Sequence, residues 1–323
     1  MRRILRVILW SMAAVVVLGA ALFGYFVYTP APQKPVLSGT LTAGHIAFGG
    51  HKRTYLLYVP RGLAKGAPLV LALHGSGEDG MQMRVETGYG FEREADAHGF
   101  AVAYPDGYEG YWNGCNIAGG YAANALNIDD VGFLSALADK MAHEIGSDPR
   151  RVFAAGVSRG GQMAYRLALE APSRFRAVAV VSANVPAPEN FKCKPMGHGT
   201  SSVMIMNGTA DPLSPYDGGE VRLFGLFMAR GRVLSSRESG QYFARLNGIG
   251  GSPQTHETPV ADGMRIEDFR WRGQGRAEVE LVGIQGGGHG MPQPWRRLPR
   301  LLGPTPTEPN GPAVIWAFFA RQR

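Results

Sequence analysis

The sequence predicts an α/β domain, a mostly parallel sheet with crossover helices, preceded by an apolar N-terminal helix. Three observations predict it. Short apolar runs alternate with segments whose apolar residues recur at helical spacing, as in a βαβ chain. Residues able to do chemistry cluster just after several of those runs, where open α/β sheets collect their sites. Residues 7–28 carry no charge at all.

That uncharged run follows Arg2, Arg3 and Arg6. About 20 apolar residues span a bilayer as a helix, and positive charge ahead of the span keeps the N-terminus cytoplasmic and sends the rest outward. Gly19-Ala20-Ala21 could be a cleavage site, but the apolar run continues through Val27. An uncleaved anchor over residues 1–28 is therefore favoured over a cleaved signal peptide, and the membrane is an expected partner through residues 7–28. Residues 29–40, with Pro30, Pro32 and Pro35, read as an extended linker ahead of a domain over 41–323.

A chain of 323 residues with 45% hydrophobic content has a sizeable core and is not disordered. The net charge of +7 gathers partly at the ends and at Arg296, Arg297 and Arg300. No basic stripe interleaves with aromatics, so no nucleic-acid partner is expected; a basic surface beside an anionic membrane fits better. There is no metal-ligand spacing, G-x-G-x-x-G or P-loop, so no cofactor and no metal are expected. Export would favour pairing of the only cysteines, Cys115 and Cys193. Two buried free thiols are the alternative.

The strand candidates begin with a pair around Gly49-Gly50, His45–Phe48 and Tyr55–Val59, and continue with Leu69–Leu73, Phe100–Ala103 and Val152–Ala155. Ala177–Val181, Val203–Met206 and Val279–Val282 complete them. Val131, Leu134, Leu137, Ala138, Met141 and Ile145 form the stripe of one clear helix, with Asp129 and Asp130 at its positive end.

In Gly156-Val157-Ser158-Arg159-Gly160, a serine stands on the turn from strand to helix, and the glycines relieve backbone crowding. This is the pattern of a nucleophile elbow. Asp211 follows the strand ending at Met206, and His289 follows the strand ending at Val282. Serine, aspartate and histidine thus come in the chain order of α/β-hydrolases. A serine hydroxyl needs a base to take its proton, imidazole can take and return it near neutrality, and a carboxylate holds the imidazole tautomer. The backbone N–H groups of Ser76 and Arg159 are the oxyanion-hole candidates. His198, which precedes a strand, and His256, in a polar loop, are weaker bases, and Asp217 is the rival of Asp211. His74 and Trp112 are the substrate-binding candidates, with His74 also suited to order the oxyanion loop. Tyr111 and the apolar run 223–228 are further substrate-facing candidates. For that run, a buried helix or a loop dipping into the membrane are the other readings.

Assembled, the motifs resemble the secreted poly(3-hydroxybutyrate) depolymerase and feruloyl esterase family of α/β-hydrolases, from about His45 to Phe319. The resemblance is carried by Leu73-His74-Gly75, Tyr104-Pro105-Asp106-Gly107, Trp112-Asn113-Gly114-Cys115, Asp129-Asp130-Val131-Gly132, the elbow, Asn207-Gly208-Thr209-Ala210-Asp211-Pro212 and Gly287-Gly288-His289. Arg159 stands where members of the family often have asparagine. The resemblance implies an α/β-hydrolase fold and a serine esterase with Ser158, Asp211 and His289 as its triad. It implies hydroxyalkanoate esters as substrates, with feruloyl or acetyl esters of polysaccharide as the alternative. A peptidase of the same fold, and a binding protein without turnover, are the competing classes.

Overall fold

The computed structural model describes residues 2–196, 199–222, 229–260 and 265–322. The first element is α1 (Arg2–Phe26), none of whose residues is buried. Among the described residues it is the one helix long and apolar enough to cross a membrane. At its end the Arg300 guanidinium lies 4.1 Å from the Tyr25 ring centroid. Residues 29–37 have no regular structure. The chain is then gripped at Ser38, whose N–H and hydroxyl both donate to Asp96 (2.7 and 2.8 Å).

β1 (Thr40–Phe48) and β2 (His51–Val59) form an antiparallel ribbon that turns at Gly49-Gly50, with Phe48 opposite His51. Then come β3 (Leu69–Leu73), β4 (Ala101–Pro105), β5 (Val152–Val157), β6 (Ala177–Val181) and β7 (Ser202–Gly208). A small separate ribbon, β8 (Gly219–Glu220) with β9 (Arg232–Val233), precedes β10 (Gln254–Pro259), β11 (Arg265–Trp271) and β12 (Val279–Ile284). The main sheet runs β1-β2-β4-β3-β5-β6-β7-β12-β11-β10, and it is parallel from β4 to β12.

Parallel strands are covered on both faces, which is why β3, β5 and β6 read as unbroken apolar runs. In β3, Leu69, Leu71 and Leu73 enter one core while Val70 and Ala72 enter the other. The helices on the two faces are α2 (Gly80–Glu86), α3 (Gly90–His98), the one-turn α4 (Ala122–Ala125), α5 (Asp130–Glu144), α6 (Arg159–Glu170), α7 (Ser236–Leu246) and α8 (Gly311–Ala320). α5, α6 and α7 supply Phe133, Met163 and Phe243 to the first core; α3 and α8 supply Phe91 and Phe318 to the second.

The α5 stripe lies where its spacing put it, but the two aspartates at its start diverge. Asp129 caps the helix, accepting from the Gly132 N–H at 2.8 Å. Asp130 is fully buried instead, bridged to Arg53 at 2.7 Å and accepting from the Asn113 N–H at 2.7 Å. Two strands of the main sheet, β10 and β11, escaped the sequence reading, as did the two-residue strands β8 and β9. Every residue of β10 is exposed and the segment is polar, so it shows no apolar period. His256 accordingly lies on an exposed edge strand, opposite Asp268, and not in a loop. β11 carries charges that find partners within the sheet, such as Arg270 with Asp268 and Glu280. The apolar run 223–228 and His198 lie outside the described residues.

Cys115 and Cys193 form a disulfide, both sulfurs buried against the first core. Backbone bonds reinforce the junction: Lys192 N–H donates to the Cys115 carbonyl (2.9 Å) and Ile117 N–H to that of Asn190 (2.8 Å). The bridge spans a separation of 78 residues. Closing so long a loop restricts the unfolded chain by about 4 kcal/mol in the chain-entropy treatment. Reduction should therefore lower the melting temperature by on the order of 10 °C. Calorimetry with and without reductant checks this, and a non-reduced digest should return the two cysteines in one cross-linked peptide.

Candidate active site

Ser158 joins β5 to α6 with φ 54° and ψ −111°, a region that non-glycine residues rarely occupy. Such strain costs of order 1–3 kcal/mol and persists only where the surroundings enforce it. Here they do. A Cβ on Gly156 would collide with the Gly160 backbone, and a Cβ on Gly160 with the Leu73 carbonyl oxygen. Strand, turn, helix and the neighbouring β3 therefore approach more closely than side chains allow. The Ser158 N–H donates to the Val181 carbonyl at 2.8 Å, pinning the turn to β6.

His289 reaches the same cavity from the loop after β12. Its Nδ1 lies 2.8 Å from Asp211 Oδ2, and the other carboxylate oxygen accepts from the N–H groups of Leu213 (2.8 Å) and Ser214 (2.9 Å). The aspartate is thus held by its own loop and offers one oxygen to the ring. The histidine loop is equally constrained. Its backbone N–H donates to the Leu302 carbonyl at 2.6 Å, and the next N–H, of Gly290, donates to Ser182 Oγ at 2.8 Å. Burial pushes the His289 ring pKa down, but the Asp211 charge and hydrogen bond, aided by Glu78 and Glu86, outweigh it and leave the ring above its ordinary value.

Ser158, Arg159, Ser76 and His289 line one cavity of about 350 Å³. The Gly75 N–H is committed to Glu78 Oε2 at 2.8 Å. The N–H groups of Ser76 and Arg159 make no hydrogen bond to a described residue, which suits donors held ready for a developing oxyanion. Asp217 is exposed and touches neither histidine nor serine among the described residues.

His74 and Trp112, expected against the substrate, are fully buried and line no part of the cavity. His74 accepts from the Gly107 N–H through Nε2 (2.8 Å) and approaches the Gly75 carbonyl through Nδ1 (2.7 Å), so it buttresses the Ser76 loop from behind. Burial pushes its pKa down, which keeps it in the neutral form that this donor–acceptor pair requires. Trp112 donates its indole N–H to the His74 carbonyl at 3.1 Å. Tyr111 does face the cavity.

Several residues of the cavity wall escaped the sequence reading, Ser182, Glu78, Glu86 and Arg230 among them. Ser182 follows β6 with φ 53°, a second strained strand end, and the signal in the sequence was its place directly after the apolar run Ala177–Val181. Glu78 and Glu86 face each other beside His289. Burial, and then the Glu78 charge, pushes Glu86 up to about 7. Arg230 enters the wall from just before β9, and nothing local in the sequence marks it.

Comparison with known proteins agrees with this architecture. The chain is 36% identical over 201 residues to the protein named "Putative esterase NocK" of Nocardia uniformis subsp. tsuyamanensis, covering 59% of this chain and 54% of that one. It is 30% identical over 186 residues to feruloyl esterase C of Emericella nidulans, covering 56% of this chain and 62% of that one. The chain thus spans little more than half the length of these relatives. Among solved structures, the acetyl xylan esterase from Aspergillus awamori superposes with a TM-score of 0.57 at 16% identity, over 77% of this chain and 94% of that one. The shared fold is the α/β-hydrolase fold. The family model described as Esterase PHB depolymerase matches residues 53–218, from β2 to the turn before β8. With just over half of its length under that match, the chain belongs to the PHB depolymerase family of esterases.

Proposed function

We propose that this protein is a serine esterase that cleaves carboxylic esters through an acyl-enzyme on Ser158. The observation that carries the reading is the Asp211–His289 pair, 2.8 Å apart, lining one cavity with the strained Ser158. His289 takes the Ser158 proton as the hydroxyl attacks the ester carbonyl, and Asp211 stabilises the imidazolium that forms. The Ser76 and Arg159 N–H groups receive the oxyanion. His289 returns the proton to the departing alcohol, and water, activated by the same ring, then frees the acid.

Family membership supports hydroxyalkanoate esters as the substrate class. A second reading, aryl or acyl esters of polysaccharide, is favoured by the similarity to a relative named feruloyl esterase. Polyhydroxybutyrate films and feruloyl and acetyl ester panels, each given to the purified domain, separate the two. The uncharged run in α1 supports an anchor with the catalytic domain outside the cytoplasm. The protein should then stay with membranes through a salt wash; a soluble mature form beginning near Leu22 would show that the segment is a cleaved signal peptide.

Ser158→Ala and His289→Ala should each lower kcat by roughly 10⁴-fold or more, since triad members act as a unit. Unchanged melting curves would attribute the loss to chemistry. If His289→Ala kept most of the rate, another group would be the base.

The pH profile follows from His289. The neutral ring is the base, so activity falls as pH drops through its pKa, and that pKa is raised. The acid limb of kcat/KM should lie above the ordinary histidine value of about 6.5. Asp211→Asn removes the charge that raises it, so the limb should move to lower pH as the rate falls. A limb unmoved by Asp211→Asn would exclude the assigned pair.

A further inference from the structure

One wall of the cavity is cationic without carboxylates to match. The Arg159 side chain is buried, and its guanidinium donates only to neutral acceptors: the Trp112 carbonyl (2.7 Å) and the side-chain carbonyls of Asn116 and Asn124. Buried arginines are ordinarily paired with an acid. The acid whose charge acts on it is Asp130, which is already bridged to Arg53. The Arg159 guanidinium carbon lies 4.3 Å from the Tyr121 ring centroid, and that of Arg230 lies 4.6 Å from the same centroid. Two guanidinium groups thus share one aromatic ring. Arg230 is half-buried, and its side chain makes no hydrogen bond or ion pair with a described residue. Arg222 stands beside it at the rim.

Like charges held together, one of them fully desolvated, are stabilised by an anion that enters between them and solvent. Three of the five N–H donors of Arg159 are in use and the group is buried, so it supplies mainly field, and the fork of Arg230, unbonded to any described residue, supplies hydrogen bonds. The acids of the cavity, Glu78 and Glu86, are hydrogen-bonded to each other, and they adjoin His289. The cavity therefore has an acidic side at the base and a basic side at Tyr121.

We infer that the Arg230–Tyr121–Arg159 wall binds a carboxylate carried by the substrate, so that the preferred ester is one whose chain ends in a free acid. This rests on the proposal that Ser158 is the reacting group, and the test separates the two. Calorimetry on Ser158→Ala protein compares the monoethyl and diethyl esters of succinate, adipate and suberate, which differ only in the charged end. For the chain length that spans the cavity, the half-ester should bind about tenfold tighter or more, as expected for a charge-assisted hydrogen bond. Added salt and Arg230→Gln should both erase that preference, and Arg230→Lys should restore part of it, which a merely structural role would not do. Equal binding of half-ester and diester at every length, or a preference that survives Arg230→Gln, overturns the inference. Turnover of the same esters by the intact protein is scored separately: no hydrolysis of any of them would count against the esterase reading and leave the binding comparison to decide the wall.

Discussion

The structure depends on one close approach of backbones. Gly156, Gly160 and the Leu73 carbonyl meet where β5 turns into α6, with no room for a Cβ on either glycine. That contact holds Ser158 in its strained conformation on the wall of the cavity. It also brings the start of α6 against the end of β3, so the two candidate oxyanion donors, on Ser76 and Arg159, arise from neighbouring strand ends. The candidate nucleophile and oxyanion donors are placed by main chain, whereas the His289 ring is held by the Asp211 side chain.

A buried polar column does much of the holding. Asp130 bonds Arg53 and the Asn113 N–H; Trp112, next in sequence, bonds the His74 carbonyl; His74 braces the loop carrying Ser76. Each member is buried and each bond is made to a group that would otherwise be left unsatisfied, so loss of one strands the next. The same segment continues into Cys115 and Asn116, where the disulfide fixes the side chain that Arg159 leans on. The covalent bridge and the polar column therefore support one wall from two sides.

This explains which parts were legible in the sequence. Buried parallel strands are apolar throughout, and the elbow glycines are required by contact, so β3, β5, β6 and Ser158 were plain. Asp211 and His289 followed from their strand ends. Trp112 was misplaced because a sequence shows that an aromatic follows a strand end, but not whether it faces inward. β10 is the edge strand, where exposed polar residues erase the apolar period, and in β11 beside it charges paired within the sheet do the same. Ser182 meets its partner Gly290 at a distance of 108 residues, and Arg230 meets Tyr121 only through the fold. No local pattern encodes either pairing.

The grip on Ser38 has a mechanical consequence. Between Phe26 and the bonds to Asp96 lies the stretch of residues 27–37, which extends to roughly 40 Å at most. Its prolines stiffen it. For a chain anchored as proposed, this is a leash about as long as one domain is wide. The cavity mouth then sweeps a thin shell over the lipid surface and never the open volume beyond. Catalytic encounter becomes a search in two dimensions, in which residence of the ester at the membrane counts for more than its bulk concentration.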